Sequence, residues 1–492
     1  MLLLGIDIGT SFIKATVVDA DTQKALATAQ CPDSENPIKS LQPGWAEQSP
    51  EMWWEQTLQA IQKLTSSGKF DPKEIAAIGI SYQMHGLVLV DKNQNVLRDS
   101  IIWCDSRAVT IGEAANNRIG QQHCASCLLN SPGNFTASKL AWVKENEPDI
   151  FTQADKMMLP GDFIAMKLTG EITTTSSALS EGILWDFKND TLSRDVMQTF
   201  QFEDSIIPEI RKLFFSHGKI KPELAKQLGI NENAQVTYKA GDQPNNALSL
   251  NVLQPGEVAA NGGTSGVIYA VTDKLLSDKF SRVNSFVHVN HTTDNKRIGV
   301  LLCINGAAIM YSWAKKICGQ NLSYKEMDRL SAEIKPGSEG LFILPFGNGV
   351  ERMLQNKMID AHLQHIDLNK HTPSHIFRAV QEGIAFAFRY GLDIMRENGL
   401  HPTIIRAGKA NLFLSNVFIQ SFVNATGLAV ELYENDGSVG AALGAGIGSG
   451  IYTNYEEAYS KLKPLQKYEP DNVELYDDLY NSWKKLLEKK LN

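Results

Sequence analysis

The segment "AGDQPNNA" (240–247) sets one carboxylate, Asp242, between a glycine and a short polar run that opens a helix. Two chemistries suit an aspartate there. It can cap the helix, because Asp is a good N-cap and Pro is favoured in a first helical turn; the fragment alone favours this. It can also act as a general base in a cleft. A second aspartate, Asp7, interrupts the apolar run "LLLGIDIG" (2–9), directly ahead of Gly9-Thr10-Ser11. A Gly-Thr-Ser turn between strands offers backbone N–H groups and two hydroxyls in a tight space. Those are donors for phosphate oxygens, and Gly allows close approach. Lys14, in the following strand, would add positive charge, and an Asp just before such a turn suits a hydrated Mg²⁺ held through its water shell. The figure recurs at Gly263-Thr264-Ser265, inside "GEVAANGGTSGVIYAVTD" (256–273). One such turn is an ordinary hairpin; two, about half a chain apart, point to a duplicated fold with a nucleotide in the cleft between its halves. No G-x-x-x-x-G-K-[ST] occurs, so a Walker-type ATPase is excluded.

The elements that must carry these residues alternate. Strand, turn and strand fill 2–18, with a third β-type run to 30, and residues 74–83 and 95–104 read as further strands. Residues 49–64 form an amphipathic helix starting at Ser49 or Pro50, and the apolar spacing of 374–398 predicts another. Two short β-type runs bracket 404–434, and 473–491 is one amphipathic helix expected to pack back on the first half. This is α/β architecture, with domains at 1–247 and 248–492.

Composition narrows the class. A chain of 492 residues exceeds one ordinary core, and 47 Lys+Arg against 55 Asp+Glu, with no basic block, gives no nucleic-acid footprint. The N-terminal apolar run meets Asp7 too early for a signal peptide, and the Gly-rich "VGAALGAGIGSGIY" (439–452) is too short to span a bilayer. Neither a membrane nor a nucleic-acid partner is expected, and the location is cytoplasmic. Six scattered cysteines agree with that; "HCASC" (123–127) has no second Cys pair to complete a zinc site. The histidines of 361–375 read as a polar connecting segment.

In chain order, "GIDIGTSFIK" (5–14), "WAEQSPEMWWE" (45–55), "ISYQMHGLVLVD" (80–91), "IIWCDSRA" (101–108), "FTASKLAWVKENEP" (135–148), "LPGDFIAMKLTGE" (159–171), "AGDQPNNA" (240–247), "GGTSG" (262–266), "LPFGNGVER" (344–352), "RAVQEGIAFAF" (378–388) and "GAALGAG" (440–446) resemble the FGGY carbohydrate kinases, essentially end to end. That resemblance implies two actin-like, ribonuclease-H-type domains around a cleft that closes on its substrates. It implies transfer of the γ-phosphoryl of ATP, with Mg²⁺, to a sugar hydroxyl. It sets Asp242 as the catalytic base, in reach of the metal, and Asp7 beside Mg²⁺. Gly9, Thr10 and Ser11 fall in the first phosphate turn, Gly263 and Thr264 in the second, and Gly408, Lys409 and Asn411 where the family grips adenosine.

Sugar choice falls to Gln83, Met84 and His85: glycerol kinases carry Arg-Glu where this chain has Met-His. Met84 suits a sugar's carbon face and His85 a hydroxyl, although a buried, satisfied imidazole is the alternative. Gln243, Trp103 and Asp105 are further sugar candidates, against a core role for Trp103 and a structural pairing of Asp105 with Arg107. D-xylulose is the expected substrate; L-fuculose, L-rhamnulose, L-ribulose and gluconate stay open. An actin-like ATPase and a non-catalytic sugar-binding regulator are the readings from other classes. The chain departs from the family at "RAGKAN" (406–411), "VERML" (350–354), "SALSEG" (177–182) and "DAHLQHIDL" (360–368). Homodimers are common among enzymes of this kind.

Overall fold

The first strand, Leu2–Ile8, shows how the sequence becomes a layer. Leu2, Leu4, Ile6 and Ile8 join a core with Trp53, Ile61 and Leu64 of the helix Pro50–Thr65. The alternate residues Leu3, Gly5 and Asp7 meet the helix Gly437–Gly448 on the other face. Period-two alternation with both faces covered explains why the run is almost wholly apolar. Ser49 caps the first of these helices by accepting from the Met52 N–H.

The computed structural model describes residues 1–492 and divides them into two compact units. The first comprises 1–251, 286–297 and 436–462; the second comprises 252–285, 298–435 and 463–492. The sequence led to one cut at 247/248; the units change at 251/252 and exchange two further segments as well.

In the first unit a five-stranded sheet runs Gln235–Gly241, Ile75–Tyr82, Leu2–Ile8, Ile13–Asp19, Ala25–Cys31. The first three are parallel and the last two antiparallel. In the second unit the order Val430–Tyr433, Ile404–Gly408, Glu257–Gly262, Gly266–Thr272, Ile298–Ile304 repeats that pattern, three parallel strands followed by two antiparallel ones. Gln466–Tyr468 extends one edge. The duplication suggested by two Gly-Thr-Ser turns is thus present in the strand order itself.

Helix Gly437–Gly448 lies unusually close to its sheet. A Cβ on Gly5 would sit 1.7 Å from the Ser438 carbonyl oxygen, and one on Gly79 would sit 1.9 Å from that of Ala441. Glycine on the strands and on the helix removes the side chains that would hold the layers apart. This explains why the Gly-rich stretch belongs to the first unit. The predicted helix 374–398 is present as Pro373–Glu397. The terminal helix, Val473–Leu491, finds its packing partners in the second unit, against Pro373–Glu397 and Asn416–Thr426, with Trp483 Nε1 donating to Ile343 O at 2.7 Å.

The predicted strand 95–104 is a correction. Ser100–Ile101 pairs with Glu47–Gln48 and Val96 makes a single bridge to Val90, and between these two short contacts the chain is loop, so no continuous strand forms. No helix is long and apolar enough to cross a membrane. Because backbone, not a flexible side chain, blocks a Cβ at position 79, Gly79→Ala is expected to destabilise the first unit by about 2–3 kcal/mol or more. A lowered urea midpoint checks this; an unchanged midpoint would mean that the helix can slide.

Candidate functional site

Three parallel strands of the first unit end side by side. Asp7 is paired in register with Ser81, and Gly241 with Tyr82. The strand ends therefore deliver Asp7, then Gln83-Met84-His85, then Asp242, at one edge of the sheet. Ligands of open α/β sheets bind outside such carboxyl ends.

Asp242 is the first residue of the helix Asp242–Ser249, whose N-cap position is Gly241. The capping role expected from the sequence is therefore absent, and the helix opens ahead of Pro244. The carboxyl accepts from the Gln243 backbone and side chain. A helix start would be expected to keep it ionised. Burial overrides that: it pushes Asp242 up to about 7, with the negative charge of Asp7 adding to the shift. Burial also raises Asp7, against the Ser81 hydroxyl and Lys14, which lower it. Asp7 backs onto the start of helix Gly437–Gly448, where a Cβ on Gly437 would come within 2.7 Å of its Oδ2. Two carboxyls in one recess resist joint ionisation.

Around them is a polar chain. Thr10 Oγ1 donates to Gln83 Oε1 at 3.1 Å and accepts from Trp103 Nε1 at 3.0 Å. Gln83 Nε2 donates to Gln48 Oε1 at 3.2 Å, while Gln48 Nε2 donates to Thr10 O at 2.9 Å. Trp103 is 53% exposed, so it is no core residue. Met84 is buried and packs on Gly241. His85 Nδ1 lies 2.8 Å from Glu181 O. A carbonyl only accepts, so Nδ1 carries a proton. Phe135 and Phe286 flank the ring at centroid distances of 5.1 and 5.5 Å. Gln243 Oε1 is buried with no hydrogen-bond partner.

Two expected residues are already engaged by other groups of the protein. Asp105 is fully buried, and its oxygens are taken by Ala46 N at 2.6 Å and by the backbone and guanidinium of Arg107. Arg107 in turn stacks on Trp45 at 3.7 Å. With no acceptor left over, Asp105 holds the loop instead of meeting a ligand. Lys14 forms an ion pair with Asp436 at 3.0 Å, so its charge is already engaged. Ser11 sits in the first turn, which Gly9 N closes onto Phe12 O at 3.0 Å.

In the second unit the equivalent strand ends carry the other expected residues. The turn at Gly263–Ser265 leads from Glu257–Gly262 into Gly266–Thr272. Gly263 O and Thr264 O accept from Ala308 N and Ile309 N, each at 3.2 Å, at the start of the helix Ala308–Cys318. Gly408 ends its strand, and Lys409 N donates to Tyr433 O at 2.8 Å. Asn411 lines a cavity of about 650 Å³ with Tyr311, Tyr324, Leu412 and Asn416.

Sequence reasoning missed Glu181 and Lys139, both fully buried beside His85. The available signals were an acid within the small-residue run 176–182 and a lysine amid the apolar residues of "TASKLAW". Outside this region, His123 of the Cys-x-x-Cys stretch is paired with Asp195 at 2.7 Å, and burial pushes Cys124 up to about 11.

The pH consequence has a definite sign. Asp242 stands at about 7 in the fold against an ordinary 3.8. Its bound proton stabilises the fold fully below about pH 4, and that contribution is lost as pH rises to about 7. Asn does not titrate. Asp242→Asn is therefore expected to gain stability relative to the native chain across that window, with a constant gap above it. Urea midpoints measured from acid to alkaline pH check this, and a pH-independent gap would contradict it.

Comparison with known proteins identifies the family. Residues 2–249 match the N-terminal domain of the FGGY family of carbohydrate kinases, and residues 258–449 match its C-terminal domain. The chain is 30% identical to a xylulose kinase of Escherichia coli over 480 residues, covering 96% of this chain and 94% of that protein. It is 28% identical to a xylulose kinase of Bacillus subtilis over 500 residues, covering 98% and 97%. The crystal structure of a xyloylose kinase from Brucella ovis superposes with a TM-score of 0.89 at 26% identity, over 99% of each chain.

Proposed function

The chain belongs to the FGGY family of carbohydrate kinases, and on that premise we propose that it transfers the γ-phosphoryl group of ATP to a hydroxyl of D-xylulose, giving D-xylulose 5-phosphate. The observation that carries this reading is the delivery of Asp242, Asp7 and Gln83-Met84-His85 to one edge of the first unit's sheet.

The ketose lies against Met84, with His85 Nε2 accepting from one of its hydroxyls. The partnerless Gln243 Oε1 is a second acceptor for a sugar hydroxyl. Trp103, exposed and tethered to Thr10, offers an aromatic face beside them. Asp242 accepts the proton of the attacking hydroxyl and orients its oxygen toward the γ-phosphorus. A carboxyl at about 7 is a stronger base than an ordinary aspartate, and at neutral pH a substantial share of it is ionised. Most of the acceleration comes from positioning and charge stabilisation.

The Thr10 hydroxyl is engaged by Gln83 and Trp103. Phosphate contacts in the first turn therefore fall to backbone N–H groups and Ser11. The turn at Gly263–Thr264, backed by a helix start, takes further phosphate oxygens. The cavity at Asn411 has the volume and the aromatic lining for adenosine. Asp7 and Asp242 fit Mg²⁺: they are hard oxygen ligands crowded in one recess, where a cation relieves their repulsion. Bound there with the nucleotide, the ion would neutralise phosphate charge.

Asp242→Ala is expected to lower kcat by roughly 10²–10⁴-fold or more while leaving ketose affinity largely intact. ADP release measured over a panel of ketoses, polyols and aldonates checks both the base and the substrate. Near-normal turnover in Asp242→Ala would remove the base assignment. A preference for another sugar would move the chain to a different branch of the family.

A further inference from the structure

His85 has a φ of +63°, a left-handed backbone that a non-glycine residue adopts at a cost of about 1–2 kcal/mol. Such a conformation persists where its surroundings over-determine it. Here a buried carboxyl and a buried amine do so. Glu181 Oε2 accepts from the His85 N–H at 3.2 Å, and the Glu181 carbonyl accepts from the imidazole Nδ1 at 2.8 Å. On the other side of the Cα, Lys139 Nζ donates to His85 O at 2.8 Å and to Ile102 O at 3.0 Å, next to Trp103.

Neither side chain has a cheaper reason to be there. Lys139 has 0% exposure and Glu181 has 1%, a degree of burial that Lys and Glu show rarely unless paired. Neither is in an ion pair; each is spent on backbone groups of the loops at the sheet edge. Burial lowers Lys139 to about 7 and raises Glu181 well above the carboxylate range. An apolar residue at either position would serve a core better, because burying a polar group costs free energy even when it is hydrogen-bonded. Glu181 also accepts from the Tyr82 hydroxyl at 2.6 Å, and its carboxyl lies 3.2 Å from where a Cβ on Gly241 would stand. One carboxyl thus braces the ends of two strands, the one leading into His85 and the one leading into Asp242.

We propose that Lys139 and Glu181 are positioning residues for sugar recognition, clamping the two peptide groups that flank the His85 Cα, one by its N–H and the other by its C=O, so that the imidazole is held, with a defined tautomer, toward the substrate. Lys139 extends the clamp to the Trp103 loop through Ile102, so two sugar-facing side chains share one support. The proposal rests on the kinase reading above for its substrate, but not for its geometry.

The test pairs turnover with a signal that needs none. In protein with ¹⁵N-labelled histidine, the imidazole resonance missing from His85→Asn identifies His85. Lys139→Met is expected to shift that resonance, to raise the KM for D-xylulose roughly tenfold, as loss of a charged hydrogen bond does, and to leave the KM for ATP unchanged. In the His85→Asn background the same substitution should add little to the ketose KM, because it acts through His85. Glu181→Gln, which keeps the volume and replaces one accepting oxygen with an NH₂ donor, carries the same measurements if Lys139→Met does not fold. An unmoved resonance, equal rises in both KM values, or full additivity with His85→Asn would overturn the clamp. If the native chain phosphorylates no ketose, the substrate reading fails, and the resonance still decides the clamp.

Discussion

Placing two carboxyl groups in one poorly solvated recess is the constraint around which the first unit is built. Asp7 and Asp242 flank the strand Ile75–Tyr82, and their repulsion cannot be relieved by moving either, because each is fixed at the end of a buried parallel strand. The outcome is a proton held at Asp242 up to about neutrality.

Holding that crowding in place requires a tight sheet. Gly5 and Gly79 let the helix Gly437–Gly448 approach until its carbonyls occupy the space of absent Cβ atoms. The start of this helix then lies against Asp7, so the contact that seals the layer also sets the depth of the carboxyl. On the other face, Trp53 and the aliphatic residues of Leu2–Ile8 form an ordinary core. The same strand therefore reads as structure on one face and as chemistry on the other.

Polar groups in the loops above the sheet divide by whether their hydrogen bonds are already complete. Asp105 is saturated by Ala46 and Arg107, and its role is to hold a loop. Gln243 retains a buried oxygen without a partner. Trp103 is open to solvent but tethered through its indole nitrogen to the first turn. Residue type suggested a sugar contact for all three; only the state of their partners separates them.

The strand ends were legible in the sequence because apolar alternation, Gly-Thr-Ser turns and isolated aspartates are local signals. Asp7, Asp242 and both turns came from such signals, whereas Gln83-Met84-His85 came from the resemblance to the family, and the repeated turn already implied the repeated strand order. The helix Pro50–Thr65 was legible from its cap and its period. Pairing partners were not. That Lys14 meets Asp436, that residues 436–462 complete the first unit, and that Lys139 and Glu181 grip the peptide groups flanking one Cα are contacts between segments far apart in the chain. The protonation of Asp242 belongs with them: local sequence predicted an aspartate kept ionised by a helix start, whereas its charge state depends on burial and on Asp7, 235 positions away by the difference of their numbers. Sequence alone determined which residues could do chemistry and which strands would carry them, because periodicity and turn preference act over a few residues. The tertiary structure decided which of those residues are free to act and in what charge state, because desolvation and pairing are set by neighbours that only folding supplies.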